Sequence, residues 1–389
     1  MQITSASDLF RRRFGRDPIA ESTAPGRLEL LGNHTDYNDG LVLALAINRH
    51  ISIAAAPRQD PTVELVSSAF PEMARFSLDA LRPQPESPWT SYVQGVLEQL
   101  LERHISLGGF QAAIHGTLPI GAGLSSSAAL EVSTALVLRK LFPYRLTPAP
   151  SSPDTGDGTE RLELARLCQA AENRFVGVQC GLLDQISSLF GRAGHAIRID
   201  CRSLAIDHLP LADGLDAVVC PSGVKHALVA GEYNERRRQC EAAARILGVP
   251  ALRDATPESV AAARPRLAPR ELACAMHIVG ENRRVELGSS FLQSGNVDRF
   301  GQLMFDSHES SRLHFQNSCP ELDLLVALAR PLPGCLGARL SGGGFGGATL
   351  NLVQRAHTPA FCHTIAREYE RQSGHRLEPI VCQVVDGAR

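Results

Sequence analysis

Lysine is almost missing from this 389-residue chain: Lys140 and Lys225 are the only two among its 39 basic residues, and the rest are arginine. Any chemistry that needs an ammonium group therefore has two candidates. Aromatic side chains are sparse at 5%, with a single tryptophan, Trp89. Neither sign of charge dominates, since 39 basic against 41 acidic residues leave a formal charge of −2. That balance argues against nucleic acid or an anionic membrane as the main partner, because such binders present a basic excess. The longest wholly apolar run, Leu41 to Ile47, falls far short of the roughly 20 residues that span a bilayer. The 10 cysteines form no Cys-x-x-Cys pair, so structural zinc and thioredoxin-like redox chemistry lack their usual ligands. With no secretory signal at the start, the expectation is reduced, mostly buried thiols in a cytoplasmic protein.

What remains is an ordinary globular composition, 44% hydrophobic and 21% charged, long enough for two or three domains of roughly 150 residues. The arginine-rich start contains Leu9, Phe10 and Phe14 on one face, which predicts a first helix rather than a transit peptide. Leu28 through Ile53 reads as strand, polar loop, strand. Pro88-Trp89 opens a helix, and Phe110, Ala112 and Ile114 alternate as in a strand. From Leu146 to Glu160 the chain is nearly all Pro, Ser, Thr, Asp and Gly, which predicts a mobile surface loop. A helix over Glu160 to Phe175 follows, and the character shifts near Leu204 to Pro210. The second half runs strand, helix, helix, strand, so the fold class is α+β with two domains, 1–205 and 206–389.

Three motifs carry chemistry. In Gly121-Ala122-Gly123-Leu124-Ser125-Ser126-Ser127 the glycines let consecutive N–H groups converge on an anion, and a helix begins at the same point. No Gly-Lys-Ser/Thr follows, so it is not a Walker A loop; a polar helix cap is the plainer alternative. Ser341 to Gly347 holds Gly342, Gly343, Gly344, Gly346 and Gly347 between apolar strands, as suits a loop pressed against a ligand or another backbone segment, although a tight turn is also glycine-rich. Ala24-Pro25-Gly26-Arg27, followed by Gly32-Asn33-His34-Thr35-Asp36-Tyr37-Asn38-Asp39-Gly40, concentrates hydrogen-bonding groups suited to a polyhydroxylated ligand, or to a polar hairpin loop.

In this order, and with the linking segments Trp89 to Val96, Ala171 to Gly177, Cys180 to Gln185, Val224 to Arg236 and Ser307 to Ser310, the motifs resemble the galactokinases of the GHMP kinase superfamily. The resemblance runs from about Leu9 to about Asn351. It implies a two-domain α+β fold with the active site in the cleft between the domains, the final strand returning to the first domain. It also implies ATP and Mg²⁺ as cofactors, with galactose or a close relative phosphorylated at its C1 hydroxyl. Residues 121–127 would cradle the phosphates, and Ser127 and Glu172 would hold Mg²⁺. Asp184 would be the general base, a role compatible with its plainer reading as a helix N-cap, and Arg27 would stabilise charge, hold Asp184 ionised, or both. Asn33, His34, Thr35, Asp36, Gly181 and Tyr233 would bind the sugar, and the glycines of 342–347 would lie near substrate or phosphate. Trp89 is expected to pack near the adenine side.

One departure stands out. The family reads Gly-Arg-Val-Asn-Leu-Ile-Gly-Glu-His-Thr-Asp-Tyr, whereas this chain has Glu29 in place of the Asn and Asn33 in place of the Glu. The exchange opens galacturonate or N-acetylgalactosamine as alternative substrates, and a non-catalytic sugar- and ATP-binding regulator is a further alternative. If the strand continued past Gly32, residues 29 and 33 would lie about 13 Å apart; if the chain curls there, they come within hydrogen-bond reach.

Overall fold

The computed structural model describes residues 4–119, 123–148, 158–225 and 229–389. The first helix, α1 (Ala6–Phe14), starts at Ser5, whose side chain accepts from the Asp8 amide, and ends at Gly15 with φ +68°. It buries Leu9 and Phe10, as their spacing predicts.

Strands β1 (Ala20–Leu31) and β2 (Leu41–Pro57) are antiparallel and joined by the polar loop 32–40. With β3 (Thr62–Ser67), β4 (Ala74–Ser77), β5 (Phe110–Gly116), β6 (His195–Asp200) and β7 (Ile206–Pro210) they make a seven-stranded sheet, in the order β4-β3-β5-β2-β6-β7 with β1 on β2. Only β3 and β5 pair in parallel among these strands. Helices α2 (Thr90–Glu102), α3 (Ser126–Leu141), α4 (Gly158–Ala170) and α5 (Leu183–Phe190) pack together, with α3 and α5 against β1 and β2. Layers on both sides leave β1 buried from Ala24 to Leu31, so its two charged residues, Arg27 and Glu29, are buried with it.

The second sheet is antiparallel, in the order β11 (Ile380–Cys382), β8 (Leu215–Lys225), β10 (Gly346–Gln354), β9 (Cys335–Ser341). Helices α6 (Val229–Leu247), α7 (Pro257–Ala263), α8 (Pro269–Gln293), α9 (Val297–Ser310), α10 (Pro320–Ala329) and α11 (Thr358–Ser373) complete this half. One apolar core spans both sheets, since Leu30 and Leu45 cluster with Leu350, Leu352 and Phe300. Each such side chain contributes about 1.5–3 kcal/mol on burial, so the two halves are joined by packing and not only by the chain.

Three expectations need adjusting. Strand β7 pairs with β6, so the first sheet extends to Pro210, beyond the anticipated boundary at 205. The C-terminal return is split: β11 joins β8, and only the segment after it reaches the first sheet, where Val384 bridges Ile47 and the Arg389 amide donates to the Thr23 carbonyl. The helix anticipated over Glu160 to Phe175 is regular only to Ala170, and Ala171–Val176 is a π-helical turn closed by Gly177 at φ +91°. Residues 149–157 of the anticipated loop lie outside the described residues. Its flanks are tied together, because the Glu160 carboxylate accepts from the Leu146 and Thr147 amides, each at 2.9 Å.

Candidate active site

Arg27 and Glu29 are two apart on β1, so they project from the same face roughly 7 Å apart. Gly32 then turns the chain at φ +100°, and a Cβ there would lie 2.5 Å from the Leu41 carbonyl oxygen, so only glycine fits. The turn folds Asn33 back, and its Nδ2 donates to Glu29 Oε1 at 3.3 Å and to the Gly342 carbonyl at 2.8 Å. The curled alternative is the one adopted. Asn33 Oδ1 accepts from Asn317 at 2.9 Å and from Ser311 at 3.4 Å. Glu281 of α8 accepts the amides of both Gly32 and Asn33, each at 2.9 Å. Burial acts to raise the pKa of Glu281, yet Arg284, His277 and Arg339 hold it well below the usual carboxylate range. Nothing in the sequence singled out Glu281; the loop amides it accepts lie 249 and 248 residues away in the chain.

His34, at φ +62°, has one ring nitrogen 2.8 Å from the Tyr37 hydroxyl and the other 3.0 Å from the Gly343 carbonyl. A carbonyl only accepts, so Nε2 carries the proton and Nδ1 accepts from Tyr37. Burial pushes the His34 pKa down to about 3, which keeps the ring neutral. Thr35 faces inward, its hydroxyl 2.7 Å from the carbonyls of Gly32 and Leu41; it holds the turn and does not line the cavity. Asp36 lies against Gly181, where a Cβ would come within 2.1 Å of its Oδ2. Burial, then the charges of Glu29 and Asp184, push the Asp36 pKa up to about 7.

On the opposite wall the two glycine loops meet. A Cβ on Gly123, at φ +68°, would sit 2.8 Å from the Ser341 carbonyl, and one on Gly342 would sit 3.2 Å from the Gly123 carbonyl. Ser125 precedes α3 in the left-handed region at φ +57° and makes no side-chain cap bond. Its hydroxyl goes instead to Asp184 Oδ2, leaving the first amides of α3 without a side-chain cap. Asp184 is in the first turn of α5, not at its N-cap, which is Leu182. Arg27 Nε donates to Asp184 Oδ1 at 2.8 Å, and Arg27 Nη1 to the Gly123 carbonyl at 2.7 Å.

Behind Asp184 lies a group of acids. Glu172, on the π-turn, accepts from Gln185 at 3.1 Å and from the Cys180 thiol at 3.5 Å. Burial and then the Asp184 charge push its pKa up to about 7, against bonds from Cys180, Ser127 and Gln185. Glu131 on α3 is fully buried, shares Gln185 at 3.2 Å, and is driven well above the usual carboxylate range by desolvation and by Glu172.

These walls enclose a cavity of about 330 Å³. It brings together Arg27, Asn33, His34, Asp36, Glu172, Gly181, Asp184, Tyr233, Gly342 and Gly343 of the anticipated residues, and adds Glu29, Tyr92, Val178, Cys180 and Leu183. Gly344, Gly346 and Gly347 shape the loop rather than the cavity wall; Phe345 between them donates its amide to the Asn317 carbonyl at 2.6 Å. Gly121 and Ala122 lie outside the described residues. Lys140 donates to the Glu21 carbonyl and takes no part here. Trp89 stacks on Phe70 with centroids 5.6 Å apart. Arg339 and Glu29, fully buried as an ion pair at 3.1 Å, could have been suspected from a charge in each of two buried strands.

A polar cavity under two touching glycine loops, between a seven-stranded half and a helix-rich half, defines a small-molecule kinase of the GHMP type. Residues 91–192 match the GHMP kinases N terminal domain and 289–369 the GHMP kinases C terminal region, while 8–57 match the galactokinase galactose-binding signature. The chain belongs to the galactokinase family. It is 41% identical to the galactokinase of Chloroflexus aggregans over 98% of this chain and 96% of that one. It is 39% identical to the Homo sapiens galactokinase over 100% and 96% of the two chains. The crystal structure of Lactococcus lactis galactokinase complexed with galactose superposes with a TM-score of 0.91 at 31% identity, covering 98% of each chain. A mevalonate kinase at 16% identity and TM-score 0.63 shares the fold.

Proposed function

We propose that the chain transfers the γ-phosphoryl group of ATP to the C1 hydroxyl of α-D-galactose, giving galactose 1-phosphate and ADP. The observation that carries this reading is the Arg27–Asp184 pair, held at 2.8 Å beneath the junction of the two glycine loops. Phosphoryl transfer asks for positioning and charge neutralisation, and this arrangement supplies both. The C1 oxygen attacks phosphorus as the bond to the β-phosphate oxygen breaks. Asp184 accepts the hydroxyl proton, and Arg27 spreads its charge over Asp184 and the transferring group. The uncapped amides at the start of α3, with Gly123 to Ser127, receive phosphate oxygens. Asp36, Gly181 and Tyr233 bind the sugar, and His34 and Asn33 shape its pocket.

Glu172 and Ser127 fit a Mg²⁺ ion. The Glu172 carboxylate is buried beside Asp184 and Glu131 with only neutral donors as partners among the described residues, a surplus of hard negative oxygen that a divalent cation offsets. When bound, the ion would neutralise phosphate charge. A cytoplasmic setting is supported by all 10 cysteines being free. No helix among the described residues is long and apolar enough to cross a membrane.

An ADP-release assay on the purified protein with galactose, galacturonate, N-acetylgalactosamine, talose and glucose tests the reading. Turnover with galactose above the others is expected. Binding of galactose without ADP release, or preference for galacturonate, would overturn it; the galactokinase relatives disfavour both.

A further inference from the structure

The exchange of Glu29 and Asn33 is the one motif feature that the reaction above leaves unused. Asn33 has no hydrogen-bonding capacity to spare. Its two Nδ2 protons go to Gly342 and Glu29, its Oδ1 accepts from Asn317 and Ser311, its amide goes to Glu281, and its carbonyl accepts from His277. The acceptors around Nδ2 are a carbonyl and a carboxylate, so the amide cannot be turned the other way without two acceptor–acceptor clashes. It is also 1% exposed.

Glu29 is different. Its Oε1 is committed to Arg339 at 3.1 Å and to Asn33 at 3.3 Å. Among the described residues its Oε2 has only a marginal contact, 3.5 Å from Asn33 Nδ2, and the residue lines the cavity. Glu29 stands one strand period beyond Arg27, with Asp36 feeling the charges of both Glu29 and Asp184. It therefore occupies the end of the cavity away from the reacting hydroxyl.

We infer that Glu29, through Oε2, is the member of this pair that bonds to the sugar, accepting from a hydroxyl remote from C1, and that Asn33 only orients it. The inference rests on the galactose reading above. Arg339 fixes the carboxylate through Oε1 at 3.1 Å and leaves Oε2 as an acceptor, so a hydroxyl donor is selected at this point. An analogue lacking that hydroxyl leaves a buried charged oxygen unpaired, the situation that gives the largest discrimination in binding sites.

The test is a specificity profile with 3-deoxy-, 4-deoxy- and 6-deoxygalactose on the wild type, Glu29→Gln, Glu29→Asp and Asn33→Ala. The wild type should lose roughly tenfold or more in kcat/KM with at least one analogue. That loss should shrink to a few-fold in Glu29→Gln, while the KM for ATP and the losses at the other positions stay as they were. In Asn33→Ala the wild-type pattern of losses should persist even if the overall rate falls. Glu29→Asp keeps the charge that Arg339 needs, so it reads the same effect if Glu29→Gln does not fold. The inference is overturned if the wild type tolerates all three analogues within twofold. It is equally overturned if the pattern collapses in Asn33→Ala and survives in the Glu29 variants. A wild type that fails to phosphorylate galactose at all is a separate result, and removes the functional reading itself.

Discussion

Arg27 Nε donates to Asp184 Oδ1 at 2.8 Å, joining β1 to α5 across 157 residues of chain. Ser125 donates to the other carboxylate oxygen, and because each oxygen can accept a second bond Asp184 retains acceptor capacity for a hydroxyl. Asp184→Asn keeps the shape and removes the proposed proton acceptor. Turnover should fall by about 10²–10⁴, the usual worth of a general base, with galactose affinity by calorimetry little altered. Undiminished turnover would leave Arg27 and electrostatics as the main contributors.

The pH dependence has a definite sign. Asp36 and Glu172 both sit near 7, raised mainly by burial. In the proposed mechanism each works as a carboxylate, so protonation below about pH 7 would remove a sugar acceptor and a cation ligand together. Sugar kcat/KM should therefore decline as pH drops through 7, and the Mg²⁺ concentration for half-maximal rate should rise over the same range. In Glu172→Gln the Mg²⁺ requirement should be higher throughout and lose its dependence on pH. A requirement that stays flat in the wild type contradicts the assignment.

Gly181→Ala places a methyl group 2.1 Å from Asp36 Oδ2, a separation that forces the carboxylate to move. Overpacking of this kind costs about 1–3 kcal/mol. The KM for galactose should rise roughly tenfold while that for ATP holds; steady-state kinetics with each substrate varied in turn decide it.

Glu281→Ala removes the acceptor for two loop amides and strands Arg284, to which Glu281 is paired at 2.7 Å. Breaking a buried pair by removing one partner costs about 3–5 kcal/mol. A clear drop in the thermal unfolding midpoint is expected, together with a higher KM for sugar. A melting curve that overlays the wild type would show that the loop is held by other means.

The local demands of the backbone were legible in the sequence. Gly32, Gly123 and Gly342 mark places where the chain needs positive φ or a neighbour's close approach, and glycine announces such needs by itself. The face of α1, the strands around the signature loop and the gathering of Arg27, Asp36, Glu172 and Asp184 in one site followed from spacing and family resemblance. Other features were settled only when distant segments met. Thr35 turned inward because two carbonyls lay within 2.7 Å of its hydroxyl. Asn33 was filled by partners up to 309 residues away. His34 was made neutral and Asp36 half-protonated near pH 7 by burial. Asp184 fell within the first turn of α5, past the Leu182 cap, and its carboxylate met Arg27 of β1. Hydrogen-bond capacity and desolvation are properties of surroundings, and surroundings assembled from both halves of a chain exist only in its tertiary structure.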